Sequence, residues 1–185
     1  MKKDLGSMLA LYPTPVTVIG AMTDEEKPNW MLVAHIGIIG HDRIMISCAK
    51  PHFTNIAIKK TGVVSVNLVD EKMLPKADYV GSKSGAKTDK SDVFEYTIGK
   101  AGSPVIDESP LVLECTVVEN YETETFDNFI LKIESTYVEE TMVDENDKPD
   151  YNKLKPVLFE FPTYSYLKTG DMIGKCLTIG KNYKK

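Results

Sequence analysis

The chain contains several segments of five to thirteen residues that are rich in apolar side chains, some with period-two alternation. These segments predict β-strands. In one of them Phe129, Leu131 and Ile133 alternate with Lys132 and Glu134, which is typical of a strand with one face in the core. Residues 63–69 are almost continuously apolar and predict a buried strand. The strands are expected at 16–22, 30–39, 43–48, 63–69, 111–122, 128–140 and 157–161.

Helical patterns are few. A short helix is expected at 2–11, a second at 52–61 and a third at 72–82, interrupted by Pro75, while the polar segment 144–156 is expected to be an exposed excursion. Many antiparallel strands with few helices favour a closed or partly closed barrel, because closure removes exposed strand edges. The sequence therefore predicts a mainly β fold with helical insertions. Its 185 residues fit one domain, 1–185.

Composition narrows the function classes. The formal net charge of -5 argues against a nucleic-acid-binding surface, which needs a concentrated basic face. We expect no membrane span and no signal peptide, since no long apolar run develops. Three widely separated cysteines fit reduced thiols and a cytoplasmic location. Neither the cysteines nor His35, His41 and His52 have the spacing of a metal site, so no metal is expected.

The segment SCAKPHFT, residues 47–54, places polar side chains at the start of a predicted helix. Ser47 and Thr54 offer hydroxyl donors, Lys50 a positive charge and His52 a further donor. The N–H groups and dipole at a helix N-terminus favour a bound anion such as a phosphate. The local alternative is that Thr54 only caps the helix while Lys50 is solvated. The residues alone leave both interpretations open.

A second polar cluster occupies residues 78–92, DYVGSKSGAKTDKSD. Its glycines, serines and lysines are typical of a mobile loop. Ser82, Ser84 and Lys90 are placed to donate to an anionic ligand under a folded loop, although an ordinary solvated loop explains the composition as well.

Five segments then occur in a characteristic order: YPTPVTVIGAM, KPNWMLVAHIGII, ISCAKPHFTNIAIKKTGVVSVNLV, ADYVGSKSGAKTDK and LKTGDMIGKCLTIGK. Together, from about Tyr12 to Gly180, they resemble the flavin reductase-like family of FMN-binding split-barrel proteins, and within it the flavoredoxin-type proteins. The resemblance implies a Greek-key split β-barrel with a few inserted helices. It also implies noncovalently bound FMN near the interface of a homodimer.

The resemblance assigns cofactor-binding roles to four segments of this chain. The segment beside the isoalloxazine ring, which supplies backbone hydrogen bonds and one wall, comprises Asn29, Trp30, Met31, Leu32, Val33, Ala34 and His35. The phosphate-binding turn comprises Ser47, Ala49, Lys50, His52 and Thr54. Asn67 is placed on the neighbouring strand, and the loop against the flavin and its ribityl chain contributes Tyr79, Gly81, Ser82, Ser84 and Lys90. Lys50 replaces an arginine common in relatives, and His35 a tryptophan.

Since a flavin supplies its own redox chemistry, no catalytic acid, base or nucleophile is assigned. The expected function is an FMN-binding oxidoreductase of the flavin reductase or flavoredoxin type. It would pass hydride or electrons from NADH, NADPH or a protein donor through FMN to a flavin or another acceptor. The alternatives are a noncatalytic flavin-binding electron carrier that depends on a redox-partner protein, and a degenerate barrel that binds no flavin.

Overall fold

The computed structural model of the protein describes residues 1–183, in which strands outnumber helices. The strands are β1 (Thr14–Pro15), β2 (Thr17–Met22), β3 (Pro28–Val33), β4 (Ile36–Ile38), β5 (Arg43–Ala49), β6 (Val63–Leu68), β7 (Tyr96–Ile98), β8 (Pro104–Ile106), β9 (Leu111–Glu122), β10 (Phe126–Val138), β11 (Leu158–Glu160) and β12 (Ser165–Leu167). The α-helices are α1 (Thr54–Thr61), α2 (Leu74–Ser82) and α3 (Tyr151–Leu154), and short 3-10 helices cover Glu140–Met142 and Ile179–Asn182. Within residues 1–183 no helix is long and apolar enough to cross a membrane.

Seven strands form one antiparallel sheet in the order β3-β2-β6-β9-β10-β5-β4. Only Ala34 and His35 separate β3 from β4 along the chain, yet these two strands lie at opposite ends of the sheet order. The sheet must therefore curl until its two ends meet. The backbone N–H of Ser47 on β5 donates to the carbonyl of His35 at 2.9 Å, which ties the crossing segment to the far end of the sheet.

The curled sheet encloses an apolar core, and α1 closes one end of it. Ala57 and Ile58 of α1 pack into this core beside Ile46 and Phe129, and all four side chains are buried. The helix ends at Gly62, whose φ of 66° lies in the left-handed region that glycine adopts without a steric penalty. α1 thus sits between the end of β5 and the start of β6.

A second apolar cluster lies outside the barrel, between β3, α2 and the segment that contains β7. Trp30 is its centre, wholly buried and packed edge-on against Phe94 and Tyr96, with ring centroids 5.5 and 5.9 Å away. Met73, directly before α2, and Val80, within α2, pack into the same cluster. This packing fixes α2 and the loop after it against the outer face of β3.

Four of the predicted elements differ from the structure, one of them the segment 144–156, which is not exposed throughout because it contains α3 and buries Leu154. Residues 2–11 form no helix and are exposed, so that prediction is wrong. The run 30–39 is not one strand, because it breaks at Ala34 and His35 where the chain crosses between the ends of the sheet. Pro75 does not interrupt α2, because it lies in the first turn of the helix. An N–H group in that turn would have no acceptor within the helix, so proline is tolerated there.

Candidate functional site

A pocket of about 330 Å³ lies where β3, β5, the N-terminus of α1 and the loop after α2 meet; we call it the central pocket. Nine of the residues predicted from the sequence line it: Met31, Leu32, Ala49, His52, Thr54, Gly81, Ser82, Ser84 and Lys90. Segments that are 60 residues apart in the chain therefore converge on one site. Gly81 permits this approach, because a Cβ atom there would lie 2.8 Å from Cβ of Leu32.

The N-terminus of α1 opens toward this pocket. The helix begins at Thr54, its N-cap is Phe53, and no side chain caps it. The Thr54 hydroxyl instead accepts a hydrogen bond of 2.6 Å from the side-chain amide of Asn29 on β3. The capping interpretation of Thr54 is therefore wrong, and the positive end of the helix dipole faces the pocket without a side-chain acceptor.

Lys90 supplies the buried positive charge of the central pocket. Only 3% of the residue is exposed, and its ammonium donates to the carbonyls of Val80 at 2.9 Å and Lys83 at 3.0 Å. None of the ion pairs within residues 1–183 involves it. Burial lowers the pKa of Lys90 to about 8. An electron-rich group in the pocket would favour the charged form.

His52 stands at the rim of the central pocket, within the field of Lys90. Burial of the ring and the charge of Lys90 both lower the pKa of His52. The surroundings of the pocket therefore disfavour the positively charged forms of both Lys90 and His52. The electrostatics of the pocket accordingly favour a ligand that brings negative charge or exposed acceptors.

Neither Lys50 nor Ser47 lines the central pocket, since Ser47 lies on the outward face of β5 and Lys50 directly follows that strand. The ammonium of Lys50 pairs with Glu122 at 3.2 Å, and Glu122 also pairs with Lys59 at 3.0 Å. The hydroxyl of Ser47 donates to Asn128 on the adjacent β10 at 2.7 Å. Both predicted residues border the pocket through Ala49 but turn their side chains to this outer surface.

The side chains of Trp30, Val33 and Asn67 belong to the packed interior and do not line the central pocket. Trp30 and Val33 fill the two apolar clusters. The amide of Asn67 is fully used, since it donates to the carbonyl of Val18 at 2.9 Å and to the hydroxyl of Ser65 at 2.8 Å and accepts from the N–H of Ile106 at 3.0 Å. The structure therefore does not bring these three side chains to the site.

The loop after α2 is ordered by its own hydrogen bonds. Ser82 donates to the carbonyl of Tyr79 at 2.8 Å, and the Ser84 carbonyl accepts from the N–H groups of Lys87 and Thr88, both at 3.0 Å. Tyr79 itself is exposed and has the ammonium of Lys83 5.9 Å from its ring centroid. Lys90 lies beneath this loop and donates hydrogen bonds to it. The loop therefore forms a fixed wall of the pocket and is not a freely solvated segment.

An aromatic pocket of about 500 Å³ adjoins the central pocket, and Leu32 lines both. The ring of His35 lies in it, 4.6 Å from the ring of Phe161 between centroids, and burial lowers the pKa of His35. Ala34 lines the same wall. Phe159, Phe161 and Tyr166 received no site role from the sequence, although the clustered aromatic residues of FEFPTYSY, 159–166, are a signal for such a surface.

Comparisons with known proteins agree with this geometry. The sequence model described as "Flavin reductase like domain" matches residues 8–167. Flavoredoxin from Methanosarcina acetivorans is 35% identical, with 98% of each chain covered and a TM-score of 0.92. Flavoredoxin of Desulfovibrio vulgaris (Miyazaki F) is 29% identical over 98% of this chain and 100% of its own, with a TM-score of 0.91.

A more distant likeness bears on the fold alone. An FMN-binding protein from Thermus thermophilus, solved with bound 1-cyclohex-2-enone, is 19% identical, with 95% of this chain and 97% of its own covered and a TM-score of 0.80. Among curated proteins no match was found. The curled seven-stranded sheet and these likenesses confirm the predicted mainly β split-barrel fold. With the domain match spanning most of its length, the chain belongs to the flavin reductase-like family.

Proposed function

We propose that the chain binds FMN in the central pocket and acts as a flavin-dependent oxidoreductase of the flavin reductase or flavoredoxin type. The observation that carries the proposal is the buried ammonium of Lys90, which has no carboxylate partner within residues 1–183 and lines the same pocket as the start of α1, where no side chain caps the helix. A ligand with electron-rich carbonyls and a phosphate complements both features.

The positions of the apolar and polar residues around the pocket match the parts of FMN, as does the charge of the pocket. Leu32 and the adjoining aromatic pocket offer an apolar wall beside β3 for a flat ring, with Asn29 and Lys90 as the nearby polar groups. The turn 49–54 offers the N-terminus of α1 to a phosphate, and Lys50 lies next to it on the outer face. FMN, when bound, supplies hydride and electron transfer. The residues of the chain bind it, orient it and set the charge around it.

Reconstitution tests the proposed function directly. We expect purified protein to bind FMN stoichiometrically with a perturbed visible spectrum, and we expect NADH or NADPH to bleach that spectrum under anaerobic conditions. Bleaching by dithionite but by neither nicotinamide would instead identify an electron carrier that needs a protein donor. Failure to retain or bind any flavin would contradict the proposal and support a barrel without a cofactor.

The outer-face cation Lys50 provides a separate prediction about the phosphate end. In Lys50→Ala, the affinity for FMN is expected to fall by about 1.5–3 kcal/mol if Lys50 leaves Glu122 for the phosphate, because a charge-assisted hydrogen bond is lost. Riboflavin has no phosphate, so its affinity should be unchanged. Isothermal titration of both ligands measures the two effects. Equal FMN affinity in the variant and the natural protein would restrict Lys50 to its ion pair.

A further inference from the structure

Within residues 1–183, no Asp, Glu, Lys or Arg side chain lines the aromatic pocket. Five rings line it, those of His35, Phe159, Phe161, Tyr164 and Tyr166, and its other lining residues are apolar. The ring of Phe159 meets those of Phe161 and Tyr166 edge-on, with centroids 5.1 and 5.7 Å apart. Burial lowers the pKa of His35, which favours its neutral form. The pocket therefore favours a flat, uncharged ligand over an ion.

Two polar groups of this pocket are available to a ligand, the imidazole of His35 and the hydroxyl of Tyr164. The hydroxyl of Tyr166 donates to Asp78 at 2.6 Å, whereas the imidazole and the Tyr164 hydroxyl make no hydrogen bond within residues 1–183. Tyr164 has a φ of 56°, in the left-handed region that bulky residues rarely adopt, and residues strained in this way cluster at binding sites. A purely apolar ligand would separate both groups from water without giving them a partner. A flat ligand that carries carbonyl oxygens would accept hydrogen bonds from them.

From these observations we propose that the aromatic pocket binds the electron acceptor of the protein, and that this acceptor is a quinone. A quinone combines a flat, uncharged ring with carbonyl oxygens, which here accept hydrogen bonds from His35 and Tyr164. Leu32 lines both this pocket and the central pocket, so a quinone bound here lies beside the proposed flavin site. The volume of about 500 Å³ is in the range of pockets that hold small organic ligands, and a small quinone leaves the shared wall at Leu32 to the flavin.

The reduction of a quinone at this position balances in atoms and electrons. The quinone gains two electrons and two protons and becomes a hydroquinone. Both electrons and one proton arrive as a hydride from reduced flavin, which is thereby oxidised, and the second proton comes from solvent at the carbonyl oxygen that accepts a hydrogen bond from His35. This step rests on the proposed function, whereas binding of the quinone is measured without flavin.

Isothermal titration with duroquinone tests the site, because the methyl groups of this quinone block addition of the exposed Cys176 thiol. We expect one site of similar affinity in the protein with and without FMN, and binding of the anion tetramethylbenzoate that is weaker by at least about tenfold. Anaerobically, one equivalent of duroquinone should reoxidise one equivalent of reduced bound FMN, read from flavin absorbance. Competition between duroquinone and FMN, equal binding of the anion, or no binding would overturn the proposal, and absence of reoxidation would remove the acceptor role. Duroquinone binding by a protein that holds no FMN would confirm the ligand site and contradict the flavin assignment, so the two failures are distinguishable.

Substitutions in the full chain test the two hydrogen bonds. His35→Phe and Tyr164→Phe each keep an aromatic ring and remove a polar group, so each is expected to weaken duroquinone binding by roughly 3–10-fold. Tyr166→Phe is the matched control and should leave the affinity unchanged, because the hydroxyl of Tyr166 already donates to Asp78. Durene has the same methylated ring without carbonyl oxygens and should bind to all four proteins equally. Full duroquinone affinity in both the His35 and Tyr164 variants, or an equal loss for durene, would overturn the assignment of a carbonyl-bearing ligand.

Discussion

Lys90→Met is expected to weaken FMN binding by about 1.5–3 kcal/mol, since the variant loses a charge-assisted hydrogen bond inside a desolvated pocket. Methionine keeps an unbranched side chain of similar length at this buried position, so the shape of the wall is largely preserved. Fluorescence titration of the flavin gives the dissociation constant.

The comparison of FMN with riboflavin shows which part of the flavin Lys90 serves. Lys90 lies in the pocket with Leu32 of β3, whereas the turn 49–54 is assigned to the phosphate. We therefore expect the two ligands to lose affinity equally in Lys90→Met. A cation beside the ring also favours the electron-rich reduced form, so the two-electron potential of bound FMN should fall by roughly 30–65 mV. A loss of affinity for FMN but not for riboflavin would instead assign Lys90 to the phosphate.

Stability is the control for this variant. Burial depresses the pKa of Lys90 from 10.5 to about 8, so the unfolded chain binds more protons than the folded protein between these values, and stability rises with pH there. At pH 7 the buried charge therefore opposes folding. Removing it offsets the loss of the bonds to Val80 and Lys83, and the free energy of unfolding should change by no more than about 1 kcal/mol. If the free energy of unfolding falls by as much as the free energy of FMN binding, the main role of Lys90 is to stabilise the fold.

The two lysines show what local sequence does and does not determine. Lys50 stands in the motif that predicts an anion site, yet the structure pairs it with Glu122 on the surface. Lys90 lies in a stretch typical of a solvated loop, yet it is buried beneath that loop. Burial of one lysine rather than another is decided by how α2 packs on β3, and no nearby residue pattern encodes that packing.

The strands show the same division between local and long-range information. Alternating apolar residues located most of the sheet, because each strand carries its own signal in the period of its side chains. The break between β3 and β4 carries no such signal, since it is imposed by closure of the sheet between strands distant in order. Residues 2–11 are exposed along their length, with Met8 and Leu9 alone reaching the aromatic pocket, so a short helix there would bury too little apolar surface to form.

The clustering of functional residues was better predicted than their individual contacts. Nine of the residues assigned by resemblance meet in the central pocket. Trp30 and Asn67 instead pack in the interior. Successive side chains of a strand point to opposite faces of the sheet, so a residue next to a pocket-lining position need not face the pocket itself. The aromatic wall with Phe161 was missed because it comes from a segment that pairs with β1, far along the chain.

Glu114→Gln is expected to lower the free energy of unfolding by about 2–4 kcal/mol at pH 7 while leaving flavin affinity unchanged. Glu114 on β9 is wholly buried. One carboxylate oxygen accepts from the N–H of Ala101 at 2.9 Å and from the hydroxyl of Ser103 at 3.0 Å, and the other accepts from the hydroxyl of Tyr137 at 2.9 Å. The amide has one oxygen acceptor and no charge to strengthen these bonds, and its N–H₂ group would face the hydroxyl of Tyr137, which must then accept instead of donate.

The pH dependence distinguishes the carboxylate from a mere packing defect. Burial alone raises the pKa of Glu114, but the hydrogen bonds from Ser103, Tyr137 and Ala101 outweigh it and hold the pKa below 4.5. A depressed folded pKa means that the stabilisation is fully present above about pH 5 and is lost as pH falls through the folded value. Urea unfolding should therefore show a gap between the natural protein and Glu114→Gln that narrows from pH 7 toward pH 3. Tyr137→Phe, which removes one donor, should cost about 1 kcal/mol and retain the same pH trend; a gap that stays constant with pH would assign the loss to packing.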